Sequence, residues 1–353
     1  MTEFAQKLIE WWRQNGRKDL PWQRNKTAYR VWVSEVMLQQ TQASTVVPYF
    51  NRFLTRFPSV RRLAKASEDE VLEYWTGLGY YRRARYLHMA AIQIVGKHAG
   101  QVPDSVDALT SLPGIGRSTA GAIVAIAFRQ TAPILDGNVR RVLSRFYTIN
   151  GKRGAANTEK RLWAHAEANT PIKQVDVYTQ AIMDLGATVC VRSKPKCPDC
   201  PLASECNAHR QGREHDYPSL AKRRSARVQH ARFFVVINGK GACLLQKRPP
   251  RGVWASLWSP PQYPQTTSVS VFGDDFDLPT TTIAKTLAGP KFRHAFSHYQ
   301  LEIEPIYVFL RASCSEIAQT HDLRWHHPCD RAEFGLSAVA VKLLTEIDSK
   351  RAS

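Results

Sequence analysis

Glu35 is the only formal charge in the stretch 31-VWVSEVMLQQTQ-42. Val31, Trp32 and Leu38 stand at helical positions i−4, i−3 and i+3 from it. A carboxyl in such apolar company has its charged form disfavoured, so its pKa rises and it can donate a proton near neutral pH. On an exposed helix face the same residue would do no chemistry. Asp136, just before 137-GNVRRV-142, is a second carboxylate of interest and equally an ordinary helix N-cap. The long interval between the two leaves their proximity undetermined.

A different chemistry is written into 190-CVRSKPKCPDCPLASEC-206. Cys190, Cys197, Cys200 and Cys206 follow the spacing C-x6-C-x2-C-x5-C, which points to four thiolates around one metal centre. Zinc takes four thiolates as readily as an iron–sulfur cluster does, and spacing leaves both open. Lys194 and Lys196, between the first two ligands, offer charge to a phosphate or simply solvate the loop. Cys243, Cys314 and Cys329 are scattered and read as packing residues.

The clearest local geometry is 109-LTSLPGIGRSTAGAIVAIAF-128. Pro113 fixes φ, Gly114 and Gly116 allow positive φ and close backbone approach, and Ser118 and Thr119 open an apolar helix. Such a hairpin can aim backbone N–H groups at a phosphate, or can be no more than a tight helix–helix turn.

Composition favours the first use. The chain has 353 residues, with 49 Lys and Arg against 30 Asp and Glu, a formal charge of +19 and a pI near 9.8. That excess fits a polyanionic partner, since phosphate contacts release counterions. Apolar residues at 43% and charged residues at 22% argue against wholesale disorder. The opening MTEFAQKLIEWWRQNG has no signal-peptide pattern, and 120-AGAIVAIAF-128 falls far short of the ~20 apolar residues that span a bilayer. No membrane association is expected, and a reducing cytosol makes the cysteines ligands rather than disulfides.

These groups must be positioned by two kinds of architecture. Residues 1–220 read as helices joined by short turns, and 221-AKRRSARVQH-230 as a basic linker. Residues 231–350 carry strand-like runs, 232-RFFVVI-237, 242-ACLLQ-246 and 299-YQLEIEPIYVFL-310, and close with a helix near Ser337–Ile347. The expected fold is multidomain, an all-α domain followed by a smaller α/β domain.

In combination, 112-LPGIG-116, 134-ILDGNVRRV-142 and the cysteine array resemble the helix–hairpin–helix DNA glycosylase superfamily, whose cluster is 4Fe-4S. Within it, 34-SEVMLQQTQ-42, 76-TGLGYYRRAR-85, 112-LPGIGRSTAGA-122, 135-LDGNVRRV-142 and 183-MDLGA-187 are most similar to MutY-type adenine DNA glycosylases. The resemblance implies two helical subdomains, residues 1–22 with 136–215 holding the cluster through Cys190, Cys197, Cys200 and Cys206, and residues 23–135 carrying the hairpin. It implies excision of adenine mispaired with 8-oxoguanine or G in duplex DNA, by a monomer in the cytoplasm at the nucleoid. Glu35 would protonate adenine at N7 and handle the attacking water, while Asp136 stays ionised beside the sugar cation with Asn138 assisting. Leu38 and Gln180 would touch the adenine, Gln39, Gln40 and Thr41 would line the gap it leaves, and Leu78 and Tyr80 would meet DNA beside the mispair. For Tyr80 and Tyr81 the plain alternative is core packing, more so for Tyr81. Gly114, Gly116 and Ser118 would contact backbone, and Arg82, Arg83 and Arg85 phosphates.

Ser118 stands where relatives resembling endonuclease III, which also cleave the backbone, carry a lysine. A hydroxyl cannot form their Schiff base, so the resemblance implies a monofunctional enzyme using water. The C-terminal part resembles the Nudix-like domain of the same family through 242-ACLLQKR-248, 252-GVWASLWSPP-261 and 294-HAFSHYQLEI-303. Phe296, Ser297 and His298 would read 8-oxoguanine. The REx2EE metal box is missing, since Trp258 to Lys291 offers only Asp274, Asp275 and Asp277 as acids, so pyrophosphatase activity is not expected. An endonuclease III-like glycosylase/lyase and a non-catalytic damage-binding protein are the alternatives.

Overall fold

A computed structural model describes residues 1–151, 154–219, 227–296, 298–311, 317, 320–347 and 350. The chain divides into two units, Met1–Lys65 with Tyr86–Arg223, and Ala66–Arg85 with Arg224–Ser353.

The first unit is helical, as its apolar periodicity predicts. The Ala28–Leu38 helix starts at Thr27, whose hydroxyl accepts the N–H of Arg30 at 3.3 Å. It packs on the hairpin helix Arg117–Ala127, which packs in turn on Val175–Thr188. That central helix also receives Gly137–Phe146 and the N-terminal helix Glu3–Asn15. Small residues allow these approaches. A Cβ at Gly186 would stand 2.6 Å from the Cβ of Asn138, so Gly137–Phe146 and Val175–Thr188 can cross this closely only with glycine there. Asp184, 1% exposed, ties in the N-terminal segment. It accepts from Trp12 Nε1 at 2.8 Å and from Arg17 Nε and Nη2 at 2.8 and 2.6 Å.

The second unit is built on a mixed sheet of eight strands, β1 (Arg227–Ile237), β2 (Cys243–Lys247), β3 (Trp258–Ser259), β4 (Gln262–Tyr263), β5 (Ile283–Ala288), β6 (Phe292–Ala295), β7 (Tyr299–Leu310) and β8 (Leu323–His326). The main path runs β3-β2-β1-β7-β5, with β4 on β1, β6 on β7 and β8 on β2. β1 and β7 are parallel, from Arg227 opposite Tyr299 to Ile237 opposite Phe309. Phe234, Val236, Leu244, Phe272, Val308 and Leu310 fill one core. The closing helix, Ala338–Thr345, is capped by Ser337, whose hydroxyl accepts the N–H of Ala340 at 3.0 Å.

Three expectations change. Of the expected linker, residues 221–226 lie outside the described residues, whereas 227–230 are already strand β1. Their exposed side chains give a paired strand the composition of a linker. The stretch Ala66–Arg85, expected in the hairpin subdomain, groups with the C-terminal unit. There Asp69 binds Lys247 Nζ at 3.0 Å, Glu73 binds Arg331 at 2.7 Å, and Tyr81 donates to the carbonyl of Leu336 at 3.2 Å. Among the scattered cysteines, Cys243 is fully buried as expected, Cys329 is exposed rather than packed, and Cys314 lies outside the described residues. Among the described residues no helix is long and apolar enough to cross a membrane.

Candidate active site and thiol cavity

Val31, Trp32, Val36 and Met37, around Glu35 on its helix, are all under 5% exposed. Glu35 keeps part of its surface open, yet its carboxyl lies within enough protein to resist ionisation. Burial, and then the negative charge of Asp136, push its pKa up to about 8. The Asp136 carboxyl is therefore near enough for its charge to act on Glu35.

Asp136 is indeed an N-cap, for Gly137–Phe146. Its Oδ1 accepts the N–H groups of Asn138 at 3.0 Å and Val139 at 2.7 Å, and its Oδ2 accepts Asn138 Nδ2 at 3.2 Å. Burial raises its pKa, while these hydrogen bonds and the Arg141 guanidinium pull the other way. Of the two carboxyls, Glu35 is the one whose proton is held most firmly, first by burial and then by the negative charge of Asp136. The helix N-terminus favours negative charge at this position. Ser118 sets the approach to it, its hydroxyl accepting the N–H of Leu135 at 3.0 Å.

Asn138 links this site to the cysteines. Its Oδ1 accepts Arg141 Nη2 at 2.9 Å, and Arg141 Nε donates to the carbonyl of Cys190 at 2.6 Å. Cys190, Cys197, Cys200 and Cys206 line one small cavity with Arg145, His209 and Glu214. Burial pushes the Cys197 thiol up to about 11 and Cys200 up to about 12. Cys200 receives the N–H of Leu202, and Cys206 those of His209 and Ala208, bonds that favour thiolates. Among the described residues, donor atoms of Cys197, His209 and Glu214 lie within 4.8 Å of one another.

In the hairpin, Gly114 has φ +77°, and a Cβ there would meet Tyr86 Cβ at 2.7 Å. Gly116 departs from expectation. It has φ −90° as N-cap of Arg117–Ala127 and open space around it, so neither a left-handed turn nor a close contact requires glycine there. Past Glu35, Leu38 is half-buried, Gln39 Nε2 donates to Thr119 Oγ1 at 3.3 Å, and exposed Gln40 takes φ +61° before Thr41. Gln180, 6% exposed, accepts from Gln23 Nε2 at 2.5 Å. Gln23 escaped the sequence reading, and its place in 21-PWQR-24 gave no chemical signal.

In the second unit, Tyr80 is 49% exposed with φ +50° after Gly77 and Gly79, both also at positive φ. Leu78 and Tyr81 are buried. Of the three arginines expected at phosphates, only Arg82 is exposed. Arg83 is buried over Trp75 and donates to the carbonyl of Gly79 at 3.1 Å, and Arg85 donates to that of Pro250 at 2.7 Å. Phe296 sits in an aromatic cluster, 5.0 Å from Trp254 and stacked 4.6 Å from Tyr299, whose carbonyl accepts its N–H at 2.9 Å. His298 is exposed, and Ser297 lies outside the described residues.

Residues 33–168 match the HhH-GPD superfamily of base excision DNA repair proteins, and residues 232–346 match the NUDIX domain. The adenine DNA glycosylase of Buchnera aphidicola subsp. Acyrthosiphon pisum is 37% identical over 341 residues, 97% of this chain and 96% of that protein. The chain belongs to the adenine DNA glycosylase family. Its rat relative, also an adenine DNA glycosylase, is 36% identical over 76% of this chain and 61% of its own. A thermostable thymine-DNA glycosylase superposes with a TM-score of 0.54 at 26% identity, over 59% of this chain and 95% of that one. A non-covalent endonuclease III–DNA complex, at 0.50 and 20% identity over 59% and 94%, shares the fold. An adenine DNA glycosylase is an enzyme of base excision repair, with DNA as its partner, so the non-catalytic alternative falls away.

Proposed function

We propose that this chain excises adenine opposite 8-oxoguanine, and adenine opposite G, from duplex DNA by hydrolysis, leaving an abasic site in an uncut strand. The observation that carries the reading is the carboxylate pair, with Glu35 held protonated to about pH 8 and Asp136 fixed by the hydrogen bonds of the helix it caps.

Adenine is a poor leaving anion, so its N-glycosidic bond breaks readily only once the base carries a proton. Glu35 supplies it to N7. As the bond cleaves, the electron pair leaves with the adenine and the sugar becomes oxocarbenium-like, and Asp136 stabilises that charge. Asn138, bonded to Asp136 Oδ2, holds that carboxylate in place. Water then adds to the sugar carbon, and its surplus proton returns to Glu35. Ser118 has no amine to form an imine, which keeps the reaction at excision.

Reaching the base requires flipping it out of the stack. Leu38 and Gln180 are assigned to the adenine, with Gln39, Gln40 and Thr41 in the gap. Tyr80, Phe296, Ser297 and His298 are assigned to the 8-oxoguanine side, and Gly114 and Gly116 to the phosphate backbone. Cys190, Cys197, Cys200 and Cys206 would hold a 4Fe-4S cluster. Their shared cavity and the N–H donors to sulfur fit such a thiolate-ligated centre. Bound there, the cluster would supply a covalent brace for the 190–206 loop.

Glu35→Gln tests the assignment. It should bind the A:8-oxoguanine duplex like the unaltered chain while excision falls by roughly 10²–10⁴. Excision at a near-normal rate would remove Glu35 from the mechanism.

A further inference from the structure

The Gly137–Phe146 helix that begins at Asp136 ends in a charge with no evident purpose. Arg145 is only 3% exposed. Its Nε donates to the carbonyls of Glu214 at 2.9 Å and Tyr217 at 3.1 Å. Its Nη1 donates to Cys190 Sγ at 3.3 Å and the carbonyl of Val191 at 2.8 Å, and Nη2 to that of Arg192 at 3.2 Å. Four of the five acceptors are neutral carbonyls, the fifth is a sulfur, and none is a carboxylate. Glu214, the carboxylate lining the same cavity, is engaged by His209 Nδ1 at 2.6 Å. Arg141 is close enough to feel Arg145 and Arg192 as like charges. A buried cation bonded to no carboxylate, with the Arg141 guanidinium nearby, is costly. Something must balance it.

We propose that Arg145 is the buried counter-cation of the cluster, a positioning residue that offsets the net negative charge of a thiolate-ligated centre and hydrogen-bonds its Cys190 sulfur. The inference rests on the cluster reading above. An N–H···S bond and an adjacent positive charge both favour the more negative, reduced form of such a centre, so Arg145 raises its reduction potential. The fork of carbonyl bonds holds the charge in place. Lysine would keep the charge and lose most of the fork, and glutamine would lose the charge.

The test uses the full chain purified with its metal. Iron and acid-labile sulfide per chain come first, since their absence from the unaltered protein would end the cluster reading itself. Reduction potential by film voltammetry on DNA, and iron loss over time in air, are then compared for Arg145→Gln and Arg145→Lys. The proposal requires a lower potential and several-fold faster iron loss in R145Q, with R145K close to the unaltered chain in both. Two results would overturn it while leaving the cluster in place. One is R145Q matching the unaltered chain in potential and iron retention, and the other is R145K failing as badly as R145Q, which would make Arg145 a brace only. Should R145Q not fold, iron retention by R145K decides alone in the same two directions.

Discussion

The hydroxyl of Ser118 accepts the backbone N–H of Leu135 at 3.0 Å, one residue before Asp136. The hairpin residue that lacks an amine thus has work of its own, fixing the chain that delivers the second carboxylate. Ser118→Ala leaves a donor without its partner and should cost about 1–3 kcal/mol locally. The expected outcome is a several-fold slower single-turnover excision with duplex affinity unchanged. An unaltered rate would show that Asp136 needs no such support.

The pH dependence follows from Glu35. Its carboxyl must be protonated to act and, with a pKa of about 8, is protonated below that pH. Single-turnover excision should be flat through neutrality and fall about tenfold per unit well above pH 8. A rate rising with pH across that range would reverse the proton's direction.

The same shift has a consequence for stability. A folded-state pKa raised above the unfolded value contributes stability that is complete below the unfolded pKa and is lost as pH rises through about 8. Glu35→Gln should therefore raise Tm at pH 9, with the gain shrinking as pH falls towards 5. Equal gains at both pH values would place the cause elsewhere.

Gly186 carries a steric test. A Cβ there would lie 2.6 Å from that of Asn138, so Gly186→Ala must push apart the helices bearing Asn138 and Gly186. Overpacking of this kind costs about 1–3 kcal/mol, and here it displaces the Asp136–Asn138 pair as well. Thermal unfolding and excision should both suffer. Loss of stability alone would mean that the pair tolerates the shift.

For the second unit, removing the residues after about 225 should reduce the preference for adenine opposite 8-oxoguanine over adenine opposite G. Phe296→Ala, which empties the place beside Trp254 and Tyr299, should move the ratio the same way. An unchanged ratio in both would assign the recognition to the helical unit.

What was legible in the sequence had a local cause. The apolar flanks of Glu35, the Thr27 and Ser337 caps, the alternation of Tyr299–Leu310 and the clustered cysteines are each readable within a dozen residues. What was not legible depends on distant partners. Glu35 and Asp136 meet only because intervening helices stack. The Gln23–Gln180 bond, the glycine required at 186 and the burial of Arg83 and Arg145 are properties of contacts between segments. Charge misled twice for one reason, since Arg83 and Arg85 read as phosphate ligands, and Arg227 with His230 as linker, until their neighbours were in view.

The most direct test is a labelled duplex with one adenine opposite 8-oxoguanine, incubated with the purified chain and split between alkaline and neutral quench. The expected result is a break at that adenine only after alkali, and none with Glu35→Gln under either quench. A break already present at neutral pH, or an unbroken strand after alkali from protein that binds the duplex, would contradict it.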